Sequence, residues 1–253
     1  MVLRLDDSAT GAGTSPYEAP AVTSVPEAVQ RMEEIQAYVE GHEPAGQHDG
    51  IACFNYIYLV ITRRILDGID HQFFADDSFV ARLDVTFANR YFAALRASVL
   101  QPAAVPECWA VLIDRRSDPH ITRLQMAAAG INAHVNFDLG VAVADTCAGL
   151  GLKPDSGSQH ASYQQINQLF AEEVQNLRQH LESGWERLID RITFERVSNQ
   201  IDDWTMKGIR DVAWEDAEHL WTLRQHGDDG AEFIRHLDEL ASETGRLVLV
   251  PVI

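Results

Sequence analysis

Apolar residues recur along most of this chain at the three- and four-residue spacing of helices, and almost nowhere in the alternation of a strand. The first periodic run, through Met32, Ile35 and Val39, follows Ser24 and Glu27 at capping-box spacing, has Pro26 just inside, and ends at Gly41. After the loop HEPAGQHDG comes IACFNYIYLVITRRILDGI, apolar on nearly every side and containing Asn55, Thr62 and two arginines, which predicts a buried helix. Asp76 and Asp77 start the next helix, which runs through LDVTFANRYFAAL and stops before Pro102, and Pro106 opens a short one carrying Trp109.

The stretch from Asp118 to Leu150, DPHITRLQMAAAGINAHVNFDLGVAVADTCAGL, is predicted to be the central helix, with Pro119 in its first turn and Gly149 and Gly151 at its end. Its Ala127, Ala128, Ala129, Gly130 and Gly140 let neighbouring helices approach closely. A connector, KPDSGSQ, leads to YQQINQLFAEEVQNLRQHL, where Ile166, Leu169, Phe170, Val174 and Leu177 keep helical spacing. Further helices are predicted over about residues 200–225, with Trp204, Trp214 and Trp221 along it, and over about residues 230–243. The β-branched tail RLVLVPVI is expected to lie on the body as an extended strap, since a free tail of that kind invites aggregation. Residues 1–23, rich in Gly, Ala, Ser, Thr and Pro, read as a flexible or extended arm, and residues 24–253 as a single all-α helical bundle.

Composition narrows the function classes. At 253 residues the chain suits one hydrophobic core and is long enough to enclose a cavity. A net charge of −18 repels phosphate backbones and anionic lipid, so neither nucleic acid nor a membrane surface is an expected partner. Cys53, Cys108 and Cys147 are an odd set without CxxC spacing and read as reduced core thiols. The opening MVLRLDDSATGAGTS has no secretory apolar region, and no run reaches the roughly 18 residues of a spanning helix. A cytoplasmic protein is expected; nothing in the pattern sets an oligomeric state.

The candidate chemistry lies in the central helix, where Gln125, Asn132, His134, Asn136 and Asp138 interrupt an apolar sequence. At about 100° per residue His134 and Asp138 share one face, and Gln125, Asn132 and Asn136 lie on nearly the opposite one. Burying such groups without partners costs several kcal/mol, so they either cross-link helices or line a polar cavity. In the first case Asp138 pairs with a base such as Arg63, Arg64 or Arg210; in the second, His134 and Asp138 act as an acid–base pair. The same H-x-x-x-D spacing suits a metal, with His48, Asp49, His71 and Asp84 as scattered further candidates and no partner motif among them. Asp49 also reads as the N-cap of the buried second helix, and Asp84, mid-helix among apolar residues, as the partner of Arg82 or Arg123. Trp214 shares a face with Glu218, and the tryptophans, Trp109 and Trp185 included, read as core or as cavity wall.

These segments carry a resemblance. HDGIACFNYIYLVIT, LDVTFANRYFAAL, the Pro106–Trp109 segment, QMAAAGINAHVNFDL, YQQIN and WTMKGIRDVAWEDAEHLWTL together resemble an actinobacterial family of domains of unknown function, DUF5995, from about Glu27 to Pro251. The most specific piece is G-x-N-A-H-x-N-x-D-L, here Gly130 to Leu139. Where the family runs A-R-D or A-R-E before A-W, this chain has Gly208, Ile209, Arg210 and Asp211, so Arg210 matches and the step before it differs. The resemblance implies an all-α protein and no particular activity.

The leading expectation is a cofactor-free helical enzyme that carries out an isomerisation, cyclisation or elimination on a fairly apolar small molecule. His134 and Asp138 are its acid–base pair; Asn132, Asn136, Asp49, Arg210 and Trp214 bind or orient the substrate, and no metal is required. The alternatives are a metal-dependent hydrolase using His134 and Asp138 with Asp49 or His48, and a non-catalytic binding or scaffold protein whose polar helix is satisfied inside the bundle.

Overall fold

Short polar side chains start the helices by accepting from backbone N–H groups that have no partner in the first turn. In the computed structural model, which describes residues 15–155, 157–178 and 206–251, α1 (Val25–His42) begins at Ser24, whose hydroxyl accepts from Glu27 N at 3.4 Å. α2 (Gly50–Asp70) begins at Asp49, which accepts from Ile51 N at 2.8 Å, and α3 (Asp77–Leu100) at Asp76, which accepts from Phe79 N at 2.9 Å. The short α4 (Glu107–Ile113) has no cap of its own. Asp238, from the other end of the chain, accepts from the N–H groups of Glu107 and Cys108, both at 2.9 Å.

The central helix starts later than its sequence predicts. Asp118 turns back on the chain, accepting from His120 N and pairing with Arg115, both at 2.9 Å, so Pro119 stands in a turn. α5 (Arg123–Ala133) starts instead at Thr122, which forms a reciprocal capping box with Gln125. A six-residue π segment, His134–Leu139, follows without a break and leads into α6 (Gly140–Leu150), which Gly151 ends at φ 67°. Then come α7 (Gln159–Arg178), α8 (Met206–Gln225) and α9 (Ala231–Val248).

Among the described residues all regular structure is helical, and no helix is long and apolar enough to cross a membrane. The rod formed by α5, the π segment and α6 packs against α2, α3, α4, α8 and α9, while α1 packs on α2. From Ser15 onward the N-terminal segment lies on the body: Tyr17 and Val22 are buried, and the Asn89 amide makes both hydrogen bonds to the Val22 backbone at 2.8 Å. Residues 1–14, Trp185 and Trp204 lie outside the described residues.

The tail differs from the extended strap its composition predicts, because α9 continues through Arg246, Leu247 and Val248. Its last carbonyls find side-chain donors that let the helix run on. Gln125 Nε2 donates to Val248 O and Val250 O at 2.8 and 2.6 Å, and Arg115 Nη1 to Leu249 O at 2.7 Å.

Small residues set the closest helix approach. A Cβ on Gly130 would stand 2.5 Å from Phe54 Cβ and Cγ, well inside van der Waals contact. Gly130→Ala gains helix propensity of about 1 kcal/mol yet overpacks this contact, and a net loss of about 1–3 kcal/mol is expected by urea denaturation. A net gain would show that α2 and α5 can move apart freely.

Candidate functional site

Asp138 sits in the π segment with both carboxyl oxygens engaged. Arg90 Nε on α3 donates to Oδ1 at 2.9 Å, and Trp109 Nε1 on α4 donates to Oδ2 at 2.9 Å. His134 Nδ1 lies 3.1 Å from Oδ2. The guanidinium and the indole are donors only, so the carboxyl is the acceptor in this cluster, and the third contact assigns the proton to His134 Nδ1. That tautomer leaves Nε2 with a free lone pair.

The imidazole is fixed on its other sides by rings. Phe87 of α3 stacks on it at 3.5 Å between centroids and 7° between planes, and Tyr58 meets it edge-on at 4.5 Å. Phe54 and Trp109 approach at 5.6 and 5.9 Å. Burial holds the His134 pKa below the ordinary imidazole value, an effect that Asp138 partly offsets. A neutral ring follows at neutral pH, and Nε2 is buried with no hydrogen-bond partner.

His134 borders an interior cavity of about 40 Å³ between α2, α3, the π segment, α7 and α8. That space holds about three waters or a ligand group of a few heavy atoms. Its wall is largely aliphatic and aromatic, from Ile61, Leu83, Phe87 and Phe170 among others, and four polar residues reach it: Tyr58, Asp84, His134 and Arg210. The Tyr58 hydroxyl and both Asp84 carboxyl oxygens are buried without hydrogen-bond partners. Burial alone raises the Asp84 pKa to about 7, and burial is also the main cause of the Tyr58 phenol's rise well above its ordinary value.

Arg210 enters from α8. Its Nε donates to Asn167 Oδ1, and its guanidinium carbon lies 5.1 and 5.8 Å from the Tyr163 and Phe170 ring centroids. Among the described residues no carboxyl lies within ion-pair distance of it, and burial lowers its pKa.

Of the residues singled out in the sequence, Asp84, His134 and Arg210 border the cavity, and Asp138 reaches it only through His134. The partner of Asp138 is Arg90 rather than Arg63, Arg64 or Arg210, because Arg90 is the base that α3 presents to the π segment. Asn132 and Asn136 lie elsewhere: Asn136 Nδ2 donates to Asn132 Oδ1 at 2.8 Å, and Asn132 Nδ2 to Ala241 O of α9 at 2.6 Å. Asp49 caps α2 and pairs with Arg116 at 2.7 Å. Trp214 packs against Tyr163 and His160, and its Nε1 donates to Glu218 at 3.0 Å. His134 and Asp138 bond to each other instead of converging on a point where an ion would sit. Among the described residues no group of three or more His, Cys, Asp or Glu side chains is arranged to hold a metal ion. The three cysteines are buried and unpaired, and burial pushes the Cys53 and Cys147 thiols up to about 11.

Sequence reasoning missed Arg90 and Tyr58 and gave Asp84 the wrong surroundings, since neither Arg82 nor Arg123 pairs with it. A signal was present. Positions 80, 81, 87 and 88, three and four residues to either side of Asp84, are Val, Ala, Phe and Ala, so its own helix offers no base. Asp138 also borders, on its far side, a surface groove of about 550 Å³ that Arg82, Arg90 and Asp145 line. The buried cluster thus stands between the interior cavity and an open face.

Comparison with known proteins adds a family and no activity. No curated protein and no solved structure matches the chain. The model of a family of unknown function, DUF5995, matches residues 25–251, nearly the whole chain, and the protein therefore belongs to the DUF5995 family.

Proposed function

We propose that the chain is an acid–base enzyme acting on a small, largely apolar molecule, with His134 as base, Asp138 as its positioning residue and Asp84 as acid. The observation that carries this reading is that His134 Nε2 and both oxygens of Asp84 are buried without partners on two residues that line the same cavity. Each such group costs about 1–3 kcal/mol, an expense that packing alone gives no reason to keep. The environments push the two groups toward complementary states: burial favours an unprotonated imidazole and a protonated carboxyl near neutral pH.

In the proposed reaction Nε2 takes a proton from a C–H or O–H of the substrate. The released electron pair forms a new π bond to the adjacent carbon as that carbon's C=O or C=C π pair shifts to its far atom, which takes a proton from Asp84 or the Tyr58 hydroxyl. The net change is an isomerisation, and the same two transfers serve a cyclisation or an elimination. Asp138 stabilises the imidazolium that forms, because its carboxyl already holds Nδ1–H. These steps move protons only, so the proposal needs no cofactor. The cavity volume restricts the reacting part of the substrate to a few heavy atoms.

Removing the acid is expected to stabilise the fold. Asp84→Leu replaces an unpartnered carboxyl by an apolar side chain of similar size, with an expected gain of about 1–3 kcal/mol by chemical denaturation. A loss of stability would show Asp84 to be structural. The gain depends on pH. The folded pKa of about 7 lies above the ordinary 3.8, so from about pH 4 to 7 the unfolded chain has lost this proton and the folded chain keeps it. Wild type is therefore expected to lose stability relative to Asp84→Leu as pH rises through that window, with a constant difference above it.

The two members of the His134–Asp138 pair are expected to behave oppositely. Asp138→Leu strands Arg90, Trp109 and His134 and is expected to cost about 3 kcal/mol or more. His134→Gln keeps an amide donor for Asp138 and is expected to melt near wild type. It should lose about 10²-fold or more of any enzyme-dependent deuterium uptake from D₂O into small carbonyl compounds. A large drop in melting temperature for His134→Gln, with exchange per folded molecule unchanged, would make His134 a satisfied core residue.

A further inference from the structure

The cavity wall pairs an apolar lining with a buried cation that has no ion-pair partner among the described residues, Asp211 acting on it only electrostatically. Arg210 spends its Nε on the neutral Asn167 side chain and lays its guanidinium against the Tyr163 and Phe170 rings. The carboxyl that shares the cavity, Asp84, makes no hydrogen bond or ion pair with it. A guanidinium taken out of water is retained where a planar two-oxygen acceptor completes it. We propose that the cavity binds a small monocarboxylate, with its two oxygens on the free edge of Arg210 and its short apolar substituent among Ile61, Leu83, Phe87 and Phe170.

This assignment names the substrate class of the acid–base site and rests on that reading for its chemistry, though not for its binding. The Arg210 charge acts electrostatically on both His134 and Tyr58, so the three groups share one local field. A carboxylate seated on Arg210 neutralises the buried cation and presents its substituent to the polar groups on the facing helices. The volume of about 40 Å³ selects acids of a few heavy atoms over longer chains. The protein's own charge of −18 opposes approach of an anion, so the local cation must supply the selectivity.

The experiment is a saturation-transfer NMR titration of the full chain with formate, acetate and propionate at constant ionic strength, beside formamide, acetamide and propionamide. The expected result is saturable binding of at least one acid, with its amide at least tenfold weaker. Arg210→Gln should abolish the preference. If circular dichroism shows that this variant is unfolded, Arg210→Lys, which keeps the charge and loses the planar pair of donors, should weaken the acid by about tenfold. Equal binding of acids and amides, no binding of any acid, or an unchanged preference in the folded Arg210 variants would overturn the assignment. Deuterium uptake at the carbon next to the carboxyl, measured on the same samples, separates the two claims. Binding without exchange leaves the carboxylate site standing and counts against the acid–base reading, whereas exchange in a neutral carbonyl compound without acid binding does the reverse.

Discussion

A carboxyl group buried among helices is tolerated when donors meet both of its oxygens, and Asp138 meets that condition with Arg90, Trp109 and His134. Those donors come from α3, α4 and the π segment, so one charge-assisted cluster fixes how three elements stand relative to one another. It also fixes the imidazole. With Nδ1 bound to Asp138 and Phe87 stacked on its face, His134 has no freedom left to satisfy Nε2 elsewhere. The unpartnered nitrogen at the cavity follows from how well the other side of the ring is satisfied.

Two kinds of buried polar group therefore coexist in this bundle. One kind knits helices: Asn55 donates to Met32 O and Gln36, Gln125 holds the end of α9, and the Asn132–Asn136 pair reaches Ala241 O. The other kind is left incomplete: Thr62, Thr146 and Gln159 each keep one unpartnered oxygen at separate places, whereas Tyr58, Asp84 and the Nε2 edge of His134 bring four such atoms to one small cavity. Polar groups that serve only folding are expected to be satisfied, so their concentration at one point argues for a bound molecule as the missing partner. The π segment reinforces this view, since such interruptions of the α register are frequent at functional sites.

Much of the fold was legible because capping and periodicity are local. Ser24, Asp49 and Asp76 each cap a helix start within reach of the sequence pattern, and the single-sided apolar spacing of α7 needs no tertiary knowledge. The errors came where distant chain decided the outcome. Asp118 was drawn into a turn by Arg115, and the tail stayed helical because Gln125 and Arg115 take its carbonyls. The π segment could not be read at all, because it differs from an α-helix in hydrogen-bond register and not in composition. In the site, His134, Asp138 and Asp84 stood out as polar residues among apolar neighbours in the sequence, and Arg210 through its match to the family pattern. Arg90 and Tyr58 depended on which face of α2 and α3 turns to the π segment, and one sequence does not carry that information; for Asp84 the sequence showed only that its own helix offers no base.

All the chemistry proposed for the cavity depends on His134 presenting an unprotonated Nε2 to it at neutral pH. Long-range ¹H–¹⁵N correlation NMR of the full chain, with His134 assigned through His134→Gln, reads the protonation of both ring nitrogens directly. The expected result is a neutral ring with the proton on Nδ1 and a bare Nε2, maintained below the pH at which exposed histidines titrate. An Nε2–H tautomer, or an imidazolium at neutral pH, would contradict it, since neither can accept a proton from a bound substrate.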